Sequence, residues 1–134
     1  MRTLTFGVST GDRLVTDVTG RAAAFATDVG GDGLLHVFAP HATAGLALLE
    51  TGSGTETDLD TVLRDLLPAD DRYVHRHGSP GHGRDHVLPT FVAPSLIVPV
   101  VGGSLALGTW QSIVLVDPNG DNVERTIRLS FVRG

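Results

Sequence analysis

The chain has 134 residues, of which 41% are hydrophobic and 19% are charged, and its formal net charge is −5. This size and balance are typical of one folded domain over residues 1–134, and they exclude an intrinsically disordered chain. The absence of cysteine excludes disulfides, thiolate metal ligands and cysteine nucleophiles, and the acidic balance disfavours nucleic acid as a partner.

The cellular location is predicted from two missing signals. No apolar run is long enough to cross a bilayer, and the first residues lack the apolar core and small-residue cleavage site of a secretory signal. The sequence therefore predicts a cytoplasmic protein with no membrane partner.

The first part of the chain predicts a hairpin, a helix and two strands. Alternating apolar and polar residues over 4–9 and 13–16 flank a Gly-Asp turn, which is typical of a hairpin. Apolar residues at helical spacing predict a helix over 19–29, which the following glycines end. Short apolar runs predict strands over 34–39 and 44–50.

The second part of the chain begins with the clearest helix, over 55–67, where five apolar residues form one stripe. A polar stretch over 73–84 follows, which we interpret as a strand end that runs into a loop. A short helix is predicted over 86–92, interrupted by Pro89. The remaining predicted strands span residues 96–101, 104–116 and 123–131.

These elements predict an α+β fold with mainly antiparallel sheets, sandwich-like, with two principal helices. Many strands follow one another in hairpin order. The repeated strand–helix alternation that a parallel doubly wound sheet needs is not present.

The densest group of chemically active side chains is a set of histidines. Four of the six histidines lie close together in the sequence, at His75, His77, His82 and His86. The first two face the same side of an extended chain, and the last two would share a helix face, although Gly81 and Gly83 argue for a loop there. Neutral imidazole is a common metal ligand and a proton carrier near neutral pH. The alternative is a solvated loop that only happens to contain histidines.

Other candidates stand at the ends of predicted elements. His41 follows a strand and Pro40, where a loop begins, and the alternative is an ordinary turn histidine. Asp58 is three residues after Thr55, which fits either a capping box or a ligand. Asp85 is placed to accept a hydrogen bond from a neighbouring imidazole.

The predicted strand over 104–116 carries two polar residues on an otherwise apolar face. Thr109 and Gln111 share this face with the aliphatic residues at 105, 107, 113 and 115. A buried amide needs hydrogen-bond partners, which either the core or a ligand would supply.

The sequence also resembles the YjbQ-like family over almost its whole length. Between Ser95 and Ile113 it contains the family signature of Ser, spaced aliphatics and Gly, followed by Gly-Thr-Trp-Gln. The block that begins at His41 resembles His-Thr-Ser-Ala-Ser-Leu, Tyr73-Val74-His75 matches Tyr-x-His, and His86 stands before the final strands as in the family. Where the family has Asn-Glu-Asn, only Glu50 carries over.

This resemblance implies an α+β fold, a homotrimer with clefts between subunits, and a secondary thiamine-phosphate synthase activity. That reaction joins hydroxymethylpyrimidine diphosphate to a thiazole phosphate and expels pyrophosphate.

The leading hypothesis is an enzyme of this kind with a small phosphorylated substrate and a divalent metal, magnesium or zinc. Its site residues fall into three groups. The catalytic residues are His41, Asp58 and His86; the substrate-binding residues are Thr43, Glu50, Thr109 and Gln111; the metal ligands are His41, His75 and His86.

Two other functions remain open. One is a metal-dependent hydrolase of a small phosphorylated metabolite, in which water is the nucleophile and a histidine the general base. The other is a non-enzymatic trimer that binds a metal or a small anion.

Overall fold

The computed structural model describes residues 1–134, which form eight strands and three helices. In chain order the elements are β1 (Arg2–Ser9), β2 (Val15–Asp17), α1 (Thr19–Val29), β3 (Gly33–Phe38), β4 (Gly45–Leu49), α2 (Thr55–Leu66), α3 (His82–Phe91), β5 (Ser95–Val101), β6 (Ser104–Leu105), β7 (Ser112–Val116) and β8 (Glu124–Arg133).

The strands form two antiparallel sheets. The larger sheet has the order β1-β8-β3-β5-β6, and the smaller one has the order β2-β7-β4. The predicted α+β class with mainly antiparallel sheets is therefore confirmed. None of the three helices combines the length and hydropathy needed to cross a bilayer.

The main core lies between the two sheets and α1. It contains Leu35 and Phe131 from the larger sheet, Leu115 from the smaller sheet and Phe25 from α1. Apolar side chains that leave water in this way supply most of the favourable free energy of folding.

A second core lies on the other face of the smaller sheet, where α2 and α3 pack. Leu63 and Leu67 meet Leu88 of α3 and the valines of β7 there. Strand β7 is therefore covered on both faces, which explains its continuous apolar run over 113–116. This packing fixes α3 beside the turn that follows β7.

The predicted hairpin over 4–9 and 13–16 is wrong. Strand β1 pairs with β8 over eight residues, whereas β2 pairs with β7, so the two segments belong to different sheets. The turn at Gly11, which has a φ of +57°, carries the chain from one sheet to the other. Each segment pairs with a strand more than 90 positions away and buries apolar side chains there, which a local turn pattern does not reveal.

The predicted continuous strand over 104–116 is also wrong, because the chain changes sheets within it. Strand β6 joins the larger sheet and β7 the smaller one, and a turn at Gly108–Gln111 connects them. The Gln111 N–H donates to the Gly108 carbonyl at 3.1 Å, and the Gly108 N–H donates to Gln111 Oε1 at 2.8 Å. Thr109 and Gln111 are exposed in this turn and do not lie on an apolar strand face.

Candidate metal centre

Four imidazole rings meet at one point on the border between the long loop after α2 and the start of α3. One ring nitrogen from each of His75, His77, His82 and His86 lies within 4.8 Å of the others. The ring centroid of His75 is 4.0 Å from those of both His77 and His86. The Nε2 atoms of His82 and His86 are 2.9 Å apart. We call this group the histidine cluster.

Helix α3 supplies half of the histidine cluster. It begins at His82, four residues earlier than predicted, so His82 and His86 lie one turn apart on the same helix face. Of the two alternatives for His82 and His86, a shared helix face or a loop, the structure shows the helix. Gly81 has a φ of +85° and forms the N-cap, a conformation that glycine adopts without steric cost.

The other two rings come from the preceding loop, which contains no strand, contrary to the prediction for 73–84. Gly83 allows this loop to lie directly on the first turn of α3, because a Cβ atom there would overlap the His75 carbonyl oxygen and the Tyr73 side chain. The Tyr73 hydroxyl also donates to the Pro68 carbonyl at 2.8 Å, which holds the loop near the end of α2.

Two members of the histidine cluster, His75 and His86, favour the neutral imidazole. Partial desolvation first, and then the neighbouring His77 and His82, lower the pKa of His75 below its usual value. Desolvation and the charges of the other three rings likewise lower the pKa of His86. Because a metal ion binds the neutral ring, the lowered pKa keeps these two histidines in the form that binds metal at neutral pH.

A carboxylate and an amide contact the outer side of the histidine cluster. Asp121 Oδ2 is 3.0 Å from Nδ1 of His82 and also accepts a hydrogen bond from the Ser79 N–H at 3.1 Å. The Asn119 amide nitrogen is 3.2 Å from the same His82 atom. These hydrogen bonds, chiefly that from Ser79, lower the pKa of Asp121, so this carboxylate is ionised at neutral pH. Neither residue is recognisable from the sequence, because both follow β7 in a segment that has the composition of an ordinary turn.

Asp85 does not have the role expected for it. It is buried and accepts a hydrogen bond from the guanidinium of Arg84 at 3.3 Å, and no hydrogen bond joins it to an imidazole. Desolvation raises the pKa of Asp85, although the adjacent Arg84 acts in the opposite direction.

His41 lies outside the histidine cluster. Its Nε2 atom accepts a hydrogen bond from the Thr126 N–H at 2.9 Å, so the ring is held against β8. Burial, and then the positive charge of Arg125, lower the pKa of His41. Of the three predicted metal ligands, the structure therefore brings His75 and His86 together and holds His41 elsewhere.

A buried polar network connects the surroundings of His41 to the turn beside the cluster. The guanidinium of Arg125 donates to both carboxylate oxygens of Asp117, at 2.6 and 3.0 Å, and to Thr43 Oγ1 at 2.8 Å. Asp117 Oδ1 also accepts from the Asn119 N–H at 2.9 Å. The predicted substrate-binding residue Thr43 is thus buried within this network.

The remaining predicted site residues make no hydrogen bond with the histidine cluster. They are Glu50, Asp58, Thr109 and Gln111, all of them exposed. Of the two alternatives for Asp58, the capping box with Thr55 is absent, because α2 begins after Gly54 without a side-chain cap. Instead Glu56 accepts a hydrogen bond from the Gly52 N–H at 3.1 Å. The roles of these four residues stay predictions.

An arginine-lined cavity of about 260 Å³ adjoins the cluster. Its walls include the side chains of Arg13, Arg64 and Arg84, and Asn119 belongs both to this wall and to the surroundings of His82. Three acidic residues share this wall: Asp60 is paired with Arg64 at 2.9 Å and Asp117 with Arg125, whereas Asp12 forms no ion pair. Guanidinium groups bind phosphate through paired hydrogen bonds, and the three arginines are the cationic groups of this wall.

The fold and the site together define an α+β protein of two antiparallel sheets with a histidine cluster at the start of its third helix. The model of the family described as UPF0047 protein YjbQ-like matches residues 4–134. The chain belongs to this family, as the signature around Gly108–Gln111 indicated.

Relatives match over the full length of the chain. The UPF0047 protein Rv2556c of Mycobacterium tuberculosis is 59% identical over 135 residues, which cover 100% of both chains. The crystal structure of the hypothetical protein APE1520 from Aeropyrum pernix K1 superimposes with a TM-score of 0.90 at 36% identity and covers 100% of both chains. A YbjQ-like protein of unknown function from Sulfolobus solfataricus P2 has a TM-score of 0.91 at 24% identity, over 99% of this chain and 97% of that one, and shares the fold.

Proposed function

We propose that this protein is a metal-dependent enzyme in which the histidine cluster binds zinc beside a small phosphorylated substrate. The observation that carries the proposal is the convergence of four ring nitrogens within 4.8 Å. Zinc accepts imidazole nitrogen readily, whereas magnesium prefers oxygen ligands in octahedral geometry. The donor set therefore favours zinc over the magnesium alternative.

The cluster is close to the dimensions of a zinc site, and small shifts of the rings in both directions would accommodate the ion. With zinc–nitrogen bonds of about 2.0–2.1 Å, tetrahedral ligand atoms lie about 3.3 Å apart. The 2.9 Å between Nε2 of His82 and of His86 is below this spacing, and the 4.8 Å spread of the whole group is above it. Catalytic zinc sites use three protein ligands and leave one position for water or substrate, so three of these imidazoles suffice.

The arginine-lined cavity supports a phosphorylated substrate. Arg13 and Arg64 each use a single N–H group in the hydrogen bonds of the structure, with the Ser9 carbonyl and with Asp60. The other N–H groups of these side chains are available to phosphate oxygens. Bound zinc would act as a Lewis acid toward such a phosphate group.

The specific reaction that we propose first is thiamine-phosphate synthesis, which rests on the sequence resemblance. In this reaction the thiazole nitrogen forms a bond to the pyrimidine methylene carbon, and the bond between that carbon and the diphosphate oxygen breaks. The diphosphate leaves with the bonding electron pair, and neutralisation of its negative charge by cationic groups would favour its departure.

The test is to measure metal content and then synthesis with the same preparation. Purified protein is analysed for zinc and assayed with both precursors in the presence of zinc, of magnesium or of a chelator. Thiamine phosphate formed with zinc supports the synthase. No product under any condition contradicts it.

Hydrolysis of a phosphate ester is the second candidate, and the all-nitrogen donor set favours it because imidazole-bound zinc acidifies water. Zinc-dependent release of inorganic phosphate from small phosphate monoesters, without synthesis, would select this function. Tight zinc binding without turnover across the same substrates would instead select a non-enzymatic metal-binding protein.

We also propose that the protein forms the expected homotrimer, and the outer face of the larger sheet supports self-association. Strands β3, β5 and β8 expose neighbouring apolar side chains there. Leu34 is 47% exposed, Ile97 58%, Val101 62% and Val132 51%. Strand register places Leu34 opposite Val132 on one side and Pro99 on the other, so the patch is continuous across the sheet. Contiguous apolar surface of this kind is typical of an interface.

Ile97→Asp is expected to convert the assembled protein to monomers, because a carboxylate in the centre of the patch would lose its hydration on association. Light scattering coupled to gel filtration measures the mass. The matched control is Val62→Asp, since Val62 on α2 is equally exposed at 58% but lies outside the sheet. An unchanged mass for Ile97→Asp would contradict this interface.

A further inference from the structure

Asp121 is the one carboxylate that forms a hydrogen bond with a ring of the histidine cluster. We propose that Asp121 is a positioning residue, which keeps the proton of His82 on Nδ1 and thereby presents Nε2 of the same ring to the metal. This inference rests on the proposed metal site, and it assigns a role to a residue that touches neither metal nor substrate.

The hydrogen-bond chemistry defines the tautomer of His82. An ionised carboxylate only accepts hydrogen bonds, so the 3.0 Å contact with Asp121 Oδ2 places the proton on Nδ1 of His82. The neutral ring then carries its lone pair on Nε2, which faces Nε2 of His86 at 2.9 Å. Without metal the His86 N–H donates across this contact, and a metal ion would replace that proton.

The amide of Asn119 contacts the same Nδ1 atom. Its side-chain oxygen accepts hydrogen bonds from the N–H groups of Asp121 at 2.9 Å and of Asn122 at 3.1 Å, which fixes the orientation of the amide. The amide nitrogen must therefore face Nδ1 of His82 as a donor at 3.2 Å, a contact that by itself would favour the Nε2–H tautomer. The shorter 3.0 Å contact with the charged carboxylate, which can only accept, favours the proton on Nδ1.

The loop before α3 forms a close cradle for Asp121. Gly78 has a φ of +82°, and a Cβ atom at this position would lie 2.8 Å from Asp121 Oδ2 and 2.9 Å from Nδ1 of His82. The next residue, Ser79, directs its N–H at the same carboxylate oxygen at 3.1 Å. Only glycine leaves room for the carboxylate and the imidazole to meet here.

The carboxylate is also anchored from the protein interior. Asn119, which holds the Asp121 backbone, is itself bound to Asp117 through its N–H group at 2.9 Å. Asp117 is buried in the ion pair with Arg125. Asp121 therefore links the ring of His82 to the rigid core, whereas His75 and His77 of the same cluster are exposed. Such carboxylate–histidine–metal arrangements fix ring orientation and raise ligand basicity.

The first experiment tests the tautomer in metal-free protein, so its result does not depend on metal binding. Long-range proton–nitrogen NMR spectra at neutral pH report which nitrogen of His82 carries the proton. We expect the Nδ1–H tautomer in the wild type and a shift toward Nε2–H in Asp121→Ala. The Nε2–H tautomer in the wild type would overturn the proposal even if the protein binds zinc.

The second experiment measures metal affinity in the full-length chain. Asp121→Ala and Asp121→Asn are expected to raise the zinc Kd by about 10–100-fold, the range found when an outer partner of a ligand is removed. The absorption spectrum of cobalt-loaded protein should change as well, because the ring of His82 reorients. Asp65→Asn on α2 is the matched control, since this exposed carboxylate makes no hydrogen bond in the structure.

The outcomes separate this inference from the proposed function. Wild-type protein that binds no zinc overturns the metal site and the role of Asp121 together. Tight zinc binding that survives both Asp121 substitutions within about twofold, with an unchanged cobalt spectrum, overturns only the positioning role. Equal melting temperatures for the variants and the wild type in metal-free form identify the loss as local.

Gly78→Ala supplies an independent route to the same result. The new Cβ atom is expected to push Asp121 away from His82 and to weaken zinc binding about as much as Asp121→Ala does. Gly52→Ala is the control for backbone strain, because Gly52 has a φ of +85° but open space around its Cα atom. Equal zinc affinity in the two glycine variants would contradict the claim that a Cβ atom at position 78 displaces Asp121 from His82.

Discussion

His86→Ala is expected to weaken zinc binding strongly and to reduce any zinc-dependent turnover with it, because only three of the four imidazoles remain. His86 is in close contact with two members of the histidine cluster, with its ring centroid 4.0 Å from that of His75 and its Nε2 atom 2.9 Å from that of His82. Removal of a direct ligand should cost more than the roughly 10–100-fold in affinity that loss of an outer partner costs. Elemental analysis and competition with a chromophoric chelator measure the change.

The same substitution is designed to leave the fold intact. Alanine is the best helix-forming residue, and His86 is only partly buried on α3. Zinc should raise the melting temperature of the wild type, because a ligand that binds only the folded state stabilises it. At the same zinc concentration, the melting temperature of His86→Ala should rise less than that of the wild type.

His36→Ala is the matched histidine control. His36 lies on β3 and stacks against Phe38, away from the histidine cluster. It should bind zinc with wild-type stoichiometry. If His86→Ala retained one zinc per chain with wild-type affinity, the cluster would not be the metal site.

Helical and strand periodicity predicted the elements that the sequence encodes locally. Helices α1 and α2 begin at the predicted residues because apolar stripes and flanking glycine or proline define them within a dozen positions. The partners of the strands are not encoded in this way. The turn signal at Gly11 is real, but β1 pairs with β8 and β2 with β7, since each finds its apolar surroundings far along the chain.

The histidine cluster was predictable because all four of its members lie within 12 positions of one another. The residues that orient it were not. Asp121 is 39 positions from His82 and Asn119 is 37 positions from it, so only the folded chain shows these contacts. The turn after β7 contains Asp and Asn residues typical of any turn, and only packing against α3 gives two of them contacts with an imidazole.

The sequence signature also does not indicate the position of its residues in the fold. Thr109 and Gln111 look like polar interruptions of a buried strand, yet they are exposed in a turn between two sheets, and Trp110 is 73% exposed beside them. The alternation of apolar and polar residues looks unbroken in the sequence because the residues on both sides of the turn belong to strands. Its continuation through the turn itself is coincidental. Exposure of this turn is consistent with a role in binding, which stays a prediction.

Asp117→Asn is expected to reduce the free energy of unfolding by about 3–5 kcal/mol, since one partner of a buried ion pair is neutralised and the other charge is left unpaired. The side chains of Arg125 and Asp117 are 3% and 0% exposed, so water cannot replace the lost carboxylate. Denaturant unfolding measures the change. Asp28→Asn is the control, because the Arg2–Asp28 pair has side chains 56% and 67% exposed and such pairs contribute at most about 1 kcal/mol.

A double substitution distinguishes the energetic effect of the unpaired charge from that of changed packing around it. If the penalty comes from the unpaired charge, Arg125→Met combined with Asp117→Leu should recover most of the lost stability, as apolar replacements of buried pairs do. Recovery of stability should not recover zinc affinity, because a leucine side chain in place of Asp117 cannot accept the Asn119 N–H that anchors the turn holding Asp121. A double variant with wild-type zinc affinity would show that the turn keeps its shape without the Asp117 carboxylate.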